Sequence, residues 1–310
     1  MGTLLRFAAL SVTALVLAAV LSPWVFFAIH PQFDYPLHRV YNRIAILLLL
    51  AFTYFMLARW RLRDRVSLGY GLPWKLLLKR IGVGFVVGAL LLLPVLIWLI
   101  AAGIRVWKPE AATDGAVWID WVLDALVTGL AVALIEETFF RGAMFTAAAR
   151  ASGTTTAINA TALLYAAIHF LGEKARVPAD SVDWLSGWSM LRQFAGAYGD
   201  PASLVDSMLA LFAVGVLLGR VRAATGHIGW CIGLHAGFVA VISLLRSRTI
   251  HVTDTAEAAW VGSFDGVLGW GVMLWTMILI AASWRWLAPK PAAGAPHSTA
   301  RVEPVVNTPT

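Results

Sequence analysis

Leu134-Ile135-Glu136-Glu137-Thr138-Phe139-Phe140-Arg141 sets two carboxylates and a guanidinium inside a strongly apolar run from Trp121 to Ala149. On a helix, Glu137 and Arg141 are four residues apart and share a face, so each can neutralise the other, while Glu136 is turned about 100° away. Glu136 is left as the spare carboxylate. A charge at bilayer depth costs at least about 2.5 kcal/mol even on lenient insertion scales, so an intramembrane Glu marks a functional site by default. Two plainer readings compete on the charges alone: a structural ion pair that ties helices together, or a helix that ends in water at Glu136.

Composition supplies the setting. The chain is 60% hydrophobic and 13% charged over 310 residues, with 15 Trp and a mean hydropathy of +0.77. These values lie outside the globular range and define a polytopic membrane protein. Apolar runs occupy 4–28, 44–60, 81–104, 121–149, 154–171, 204–219, 228–245 and 266–287, each close to what a helix needs to cross about 30 Å of hydrocarbon. The expected fold is therefore all-α, a bundle of eight transmembrane helices with a four-helix core, because Leu, Ala and Val runs of this length satisfy their backbone as helices and not as barrel strands.

Charge sets the expected topology. Counted with an inside N-terminus, the cytoplasmic segments hold 15 of the 24 Lys and Arg, most densely between Arg59 and Arg80, whereas the outer segments carry most of the Asp and Glu. Both termini are expected in the cytoplasm, with the chain in an inner or plasma membrane. The net charge of +7 then faces anionic lipid and not nucleic acid. Arg6 followed by an apolar stretch resembles a secretory signal, but the stretch runs too far, through Pro23-Trp24, and Pro23 is expected to kink its end. Cys231 is the single cysteine; it excludes an internal disulfide or multi-cysteine metal cage and reads as a small buried hydrophobe. The chain divides into four regions: 1–115, N-terminal helices and a basic loop; 116–250, the core; 251–287, an outer loop and the last helix; 288–310, a Pro- and Ala-rich tail expected to be disordered. Trp184 to Gly196 has the spacing of a short interfacial helix.

Only His169 and His235 lie well inside the expected spans. A tight inner turn at Ser152-Gly153 makes the fourth and fifth spans an antiparallel hairpin centred at 152.5, the midpoint of 136 and 169. Glu136 and His169 are then each about 25 Å along their helices from the turn, at one depth, and the helix does not end in water at Glu136. His235 enters from the same face. One Glu and two His fit two chemistries. Glu136 can act as a general base on water with His169, while His235 donates to the oxyanion of a peptide carbonyl. Alternatively, Glu136, His169 and His235 can hold a divalent metal such as zinc whose bound water attacks. Neither His-Glu-x-x-His nor Gly-x-Ser-x-Gly occurs.

These residues resemble the CPBP family of intramembrane proteases, the CAAX-protease and bacteriocin-processing or Abi proteins. Its Glu-Glu-x-x-x-Arg motif is matched in full by Glu136 to Arg141. Its Phe-x-x-x-His motif is similar to Tyr165-Ala166-Ala167-Ile168-His169, with Tyr for Phe. Its His-x-x-x-Asn or Asp motif begins at His235 but has Val239 where the amide belongs. The resemblance implies a membrane-embedded metalloprotease or Glu/His protease that cleaves a membrane-associated peptide or protein. In it, Glu136 and His169 activate water, His235 stabilises the tetrahedral intermediate, and Glu137, Arg141 and Tyr165 play supporting parts. Two rivals remain: a non-catalytic membrane scaffold that kept the polar core, favoured by Val239, and a proton-coupled transporter, disfavoured by the absence of repeats and paired broken helices.

Overall fold

The computed structural model describes residues 2–30, 32–108, 115–170, 177–196, 198, 203–253, 255–262 and 265–288. Ten α-helices are described: α1 Gly2–Ile29, α2 Leu37–Arg59, α3 Trp74–Ala101, α4 Gly115–Glu137, α5 Phe145–Ser152, α6 Thr154–His169, α7 Ser186–Gly196, α8 Val205–Thr225, α9 Gly229–Arg248 and α10 Trp270–Ala282. A π-helical segment, Thr138–Met144, joins α4 to α5 without a break. Among the described residues, six helices are long and apolar enough to cross a membrane, with α4, the π segment and α5 forming one of them.

The expected spans differ from the helices at their polar ends. α2 and α3 begin at Leu37 and Trp74, each directly after a proline. Hydropathy misses these first turns because Arg39, Arg43, Lys75, Lys79 and Arg80 fall there. α8 runs past the expected end at 219 to Thr225 and carries Arg220 and Arg222, both buried. The last helix, expected over 266–287, is only Trp270–Ala282, 13 residues, shorter than the roughly 20 a full span requires. α1 continues through Pro23. The expected disordered tail lies outside the described residues from 289 onward.

α9 sits at the centre, packed between α3 and α4. Gly84 and Gly88 on α3 and Gly233 and Gly237 on α9 meet face to face, and a Cβ on Gly88, Gly233 or Gly237 would run into the carbonyl of Leu234, Ile81 or Phe85 respectively. On the other side, a Cβ on Gly129 of α4 would lie 2.6 Å from the Ala236 carbonyl oxygen. With no hydrophobic drive between helices in lipid, such small-residue faces allow the close backbone approach that supplies packing energy. The consequence for function is a fixed position for His235 against α4. α6 packs on α8 and returns from α5 through Gly153, whose φ of +84° suits glycine. α7, close to the expected interfacial helix, buries Met190 and Phe194 against Phe26, Leu37 and Tyr41 of α1 and α2.

At the end of the bundle where α3 and α9 finish, the strands β1 Arg105–Trp107 and β2 Thr249–His251 form a small antiparallel sheet that ties the two helices together. Arg105, buried, bonds Thr249 Oγ1 at 2.7 Å and the carbonyls of Asp265 and Gly266 at 3.1 and 3.2 Å. At the opposite end, the loop between α2 and α3 folds onto α5 and the start of α9.

Candidate active site

The site forms where α4 passes into the π segment. Glu137 and Arg141 are both fully buried and joined at 2.8 Å between Oε1 and Nη1. The same Glu137 oxygen lies 2.8 Å from His235 Nδ1. A carboxylate is acceptor-only, so Nδ1 carries the hydrogen and donates, which fixes the ring's orientation and leaves Nε2 facing the other carboxylate. Nε2 lies 3.9 Å from Glu136 Oε2. Glu137 therefore does more than neutralise Arg141: one oxygen atom organises both the guanidinium and the imidazole.

Arg141 is held on three sides. Its Nη2 donates to the Gly215 carbonyl at 3.2 Å, its guanidinium lies 4.9 Å from the Tyr165 ring centroid, and its own carbonyl accepts from Arg222 Nε at 2.9 Å. The π segment matters here, because an extra residue per turn rotates the side chains beyond it relative to an ideal α-helix, and such segments recur at functional sites. Tyr165 stands between the two histidines, with ring centroids 5.5 Å from His169 and 6.1 Å from His235.

Two cavities meet at this point, sharing Val132, Tyr165 and His169 as lining. One, of about 330 Å³ between α1, α2, α4 and α6, is lined by Glu136. The other, of about 370 Å³ among α3, α4, α6, α8, α9 and α10, is lined by His235 and Val239. Glu136 and His169 thus open onto one cavity, His169 and His235 onto the other, and Val239 lies on the cavity face one helical turn beyond His235. Among the described residues, the buried Glu136 Oε2 makes no hydrogen bond, and the second oxygen of Glu137 and Nε of Arg141 likewise have no partner. Polar atoms in this condition are hydrogen-bonding positions for water or substrate.

The metal alternative is tested by the donor set. Among the described residues, no three His, Cys, Asp or Glu side chains are grouped so as to hold a metal ion, while the bond of His235 Nδ1 to Glu137 leaves Nε2 as the ring's available donor atom. As placed, Glu136, His169 and His235 are not such a group.

Sequence reasoning missed three parts of this arrangement: the second bond of Glu137, the π segment, and Arg222. Arg222 could have been suspected from its position one turn before Gly226, had α8 been extended; the other two leave no sequence signal.

Residues 118–241 match the family described as Rce1-like, type II CAAX prenyl endopeptidase Rce1-like, so the chain carries a domain of the CPBP family of peptidases. No curated protein and no solved structure matches the chain.

Proposed function

We propose that this protein is an intramembrane endopeptidase in which Glu136 activates water for attack on a peptide carbonyl of a membrane-associated protein substrate. The observation that carries the reading is the buried, unbonded Glu136 Oε2, 3.9 Å from the Nε2 of a histidine whose other nitrogen is held by Glu137. In the first step, Glu136 takes a proton from water as the water oxygen bonds to the carbonyl carbon. His169, across the same cavity, orients that water. The carbonyl oxygen becomes an oxyanion; in its imidazolium form His235 donates from both nitrogens, Nδ1–H to Glu137 and Nε2–H to the oxyanion. In the second step, the tetrahedral intermediate collapses, the C–N bond breaks, and Glu136 returns its proton to the leaving amine. The largely apolar lining of both cavities strengthens each of these interactions.

The catalytic unit is the region 116–250, the termini face the cytoplasm as the Lys and Arg distribution indicates, and prenylated C-terminal tails are the substrate class first to be tried. Val239 favours a second reading, a scaffold that no longer cleaves, since the side chain one turn past His235 on the cavity wall offers no donor. Quantitative comparison of membrane peptides from cells holding the intact protein and cells holding Glu136→Gln separates the two. Protease action predicts uncleaved precursors that accumulate only with Glu136→Gln; identical peptide sets at equal expression mean a scaffold.

A further inference from the structure

We propose that the segment Asp64 to Tyr70, which lies before the matched domain, is a positioning element of the active site: it fastens the Glu136-Glu137 turn to the helix that carries His235. The proposal rests on the catalytic reading of that site. Tyr70 Oη lies 2.5 Å from Thr138 Oγ1, and Thr138 Oγ1 lies 2.6 Å from the Leu134 carbonyl. Thr138 has one hydroxyl hydrogen and donates it to Leu134, so Tyr70 is the donor to Thr138. Burial raises the Tyr70 phenol above its ordinary range, which keeps it protonated and able to donate. The bond thus closes on the residue immediately after Glu137, at the junction of α4 and the π segment. One residue earlier, the Gly69 carbonyl accepts the amide of Ile228 at 3.0 Å, at the first turn of α9.

Two adjacent loop residues therefore hold the helix of both carboxylates and the helix of the imidazole. The loop is itself anchored: the Ser67 carbonyl accepts from Thr146 Oγ1 at 2.6 Å, the Ser67 hydroxyl accepts from Arg150 Nη2 at 3.1 Å, and Asp64 accepts both the amide and the hydroxyl of Ser67 at 2.8 and 2.5 Å. Two glycines admit it. Gly69 has φ +82° with a hypothetical Cβ 2.8 Å from Ile228 Cγ2, and a Cβ on Gly142 in the π segment would stand 2.9 Å from the Leu68 carbonyl oxygen. A loop serving only as a charged topology signal needs none of these contacts.

The test uses the full chain in proteoliposomes with an internally quenched farnesylated CAAX-type peptide as probe. Tyr70→Phe and Thr138→Val are each expected to lower kcat about ten-fold with KM unchanged, since misplacing reacting groups by a fraction of an ångström has costs on this scale. Thr138→Ser, which keeps the hydroxyl, is expected to restore kcat, and the double variant Tyr70→Phe/Thr138→Val to fall no further than either single one. Multiplying losses, an unchanged kcat, or a change confined to KM overturns the proposal. Hydrogen exchange supplies a readout independent of turnover. Tyr70→Phe is expected to accelerate exchange over 134–146 and leave 205–215 unchanged. If the parent protein cleaves nothing, the catalytic reading fails, and unchanged protection over 134–146 then refutes the coupling separately.

Discussion

Replacing Glu137 by Gln removes one charge from a site where a single oxygen atom serves two donors. Glu137 Oε1 accepts from Arg141 Nη1 and from His235 Nδ1, each at 2.8 Å, and both carboxylate and guanidinium are fully buried. Gln keeps the shape and one acceptor, so neither donor is orphaned outright, but both bonds lose their charge-assisted strength and Arg141 becomes an uncompensated buried cation. Removing one partner of a buried pair costs about 3–5 kcal/mol, and the retained amide oxygen places this variant near 3 kcal/mol. At about 2–4 °C per kcal/mol for a domain of this order of size, the thermal midpoint should fall by roughly 6–12 °C. Cys231 provides the assay: it is the single thiol, fully buried, so a thiol-reactive fluorophore labels it only as the bundle opens. Glu137→Gln/Arg141→Met leaves no stranded charge and should unfold at a higher temperature than Glu137→Gln alone. A double variant less stable than the single one would refute the argument, because it would mean that Arg141 is not compensated through Glu137.

Val239→Asn puts an amide on the cavity wall one turn past His235 and should raise kcat wherever the parent turns over measurably. An oxyanion donor contributes about 2.7–4 kcal/mol where evolved, so a several-fold gain is expected from an unrefined one, and no change in kcat means that the donor is supplied elsewhere. Gly233→Val drives a side chain into the Ile81 carbonyl at the α3–α9 contact and should cost more than the roughly 1–3 kcal/mol of ordinary overpacking; a Cys231 labelling midpoint equal to the parent's would show that the helices separate freely. His227 predicts a pH effect. Its Nδ1 accepts the Gly229 amide at 3.2 Å, and burial, with Arg222 and Arg80 nearby, holds its pKa below the usual histidine value. The unfolded chain therefore binds the proton more readily, so stability is full above about pH 6.5 and declines as pH falls below it. His227→Gln should flatten that decline below about pH 6.5, and an unchanged slope would locate the titration at another group.

The fold was legible where physics leaves a one-dimensional trace. Apolar runs long enough to span lipid located the helices, and Gly153 with the flanking pattern located the turn that returns α6 along α5. The pairing of Glu137 with Arg141 came from four-residue spacing alone. The parts that stayed hidden depend on groups distant in sequence. The bond from Glu137 to His235 joins residues 98 apart, and Tyr70 meets Thr138 across 68. Helix ends were misplaced wherever arginines extend the apolar run, since hydropathy cannot distinguish a solvated Arg from Arg222, which is buried and bonded to the Arg141 carbonyl. The glycines of α3 and α9 at four-residue spacing were present in the sequence as a helix-packing signal, and their meaning became specific only once their partners were known.

The central claim is that Glu136, and not the paired Glu137, moves the proton. The most direct measurement is hydrolysis of the farnesylated CAAX-type peptide by purified Glu136→Gln in proteoliposomes, set against the parent at matched Cys231 labelling midpoints. General-base catalysis contributes about 10²–10⁴-fold, so the account predicts turnover at or below about one-hundredth of the parent with an unchanged midpoint. Turnover within a few-fold of the parent at that same midpoint would contradict it.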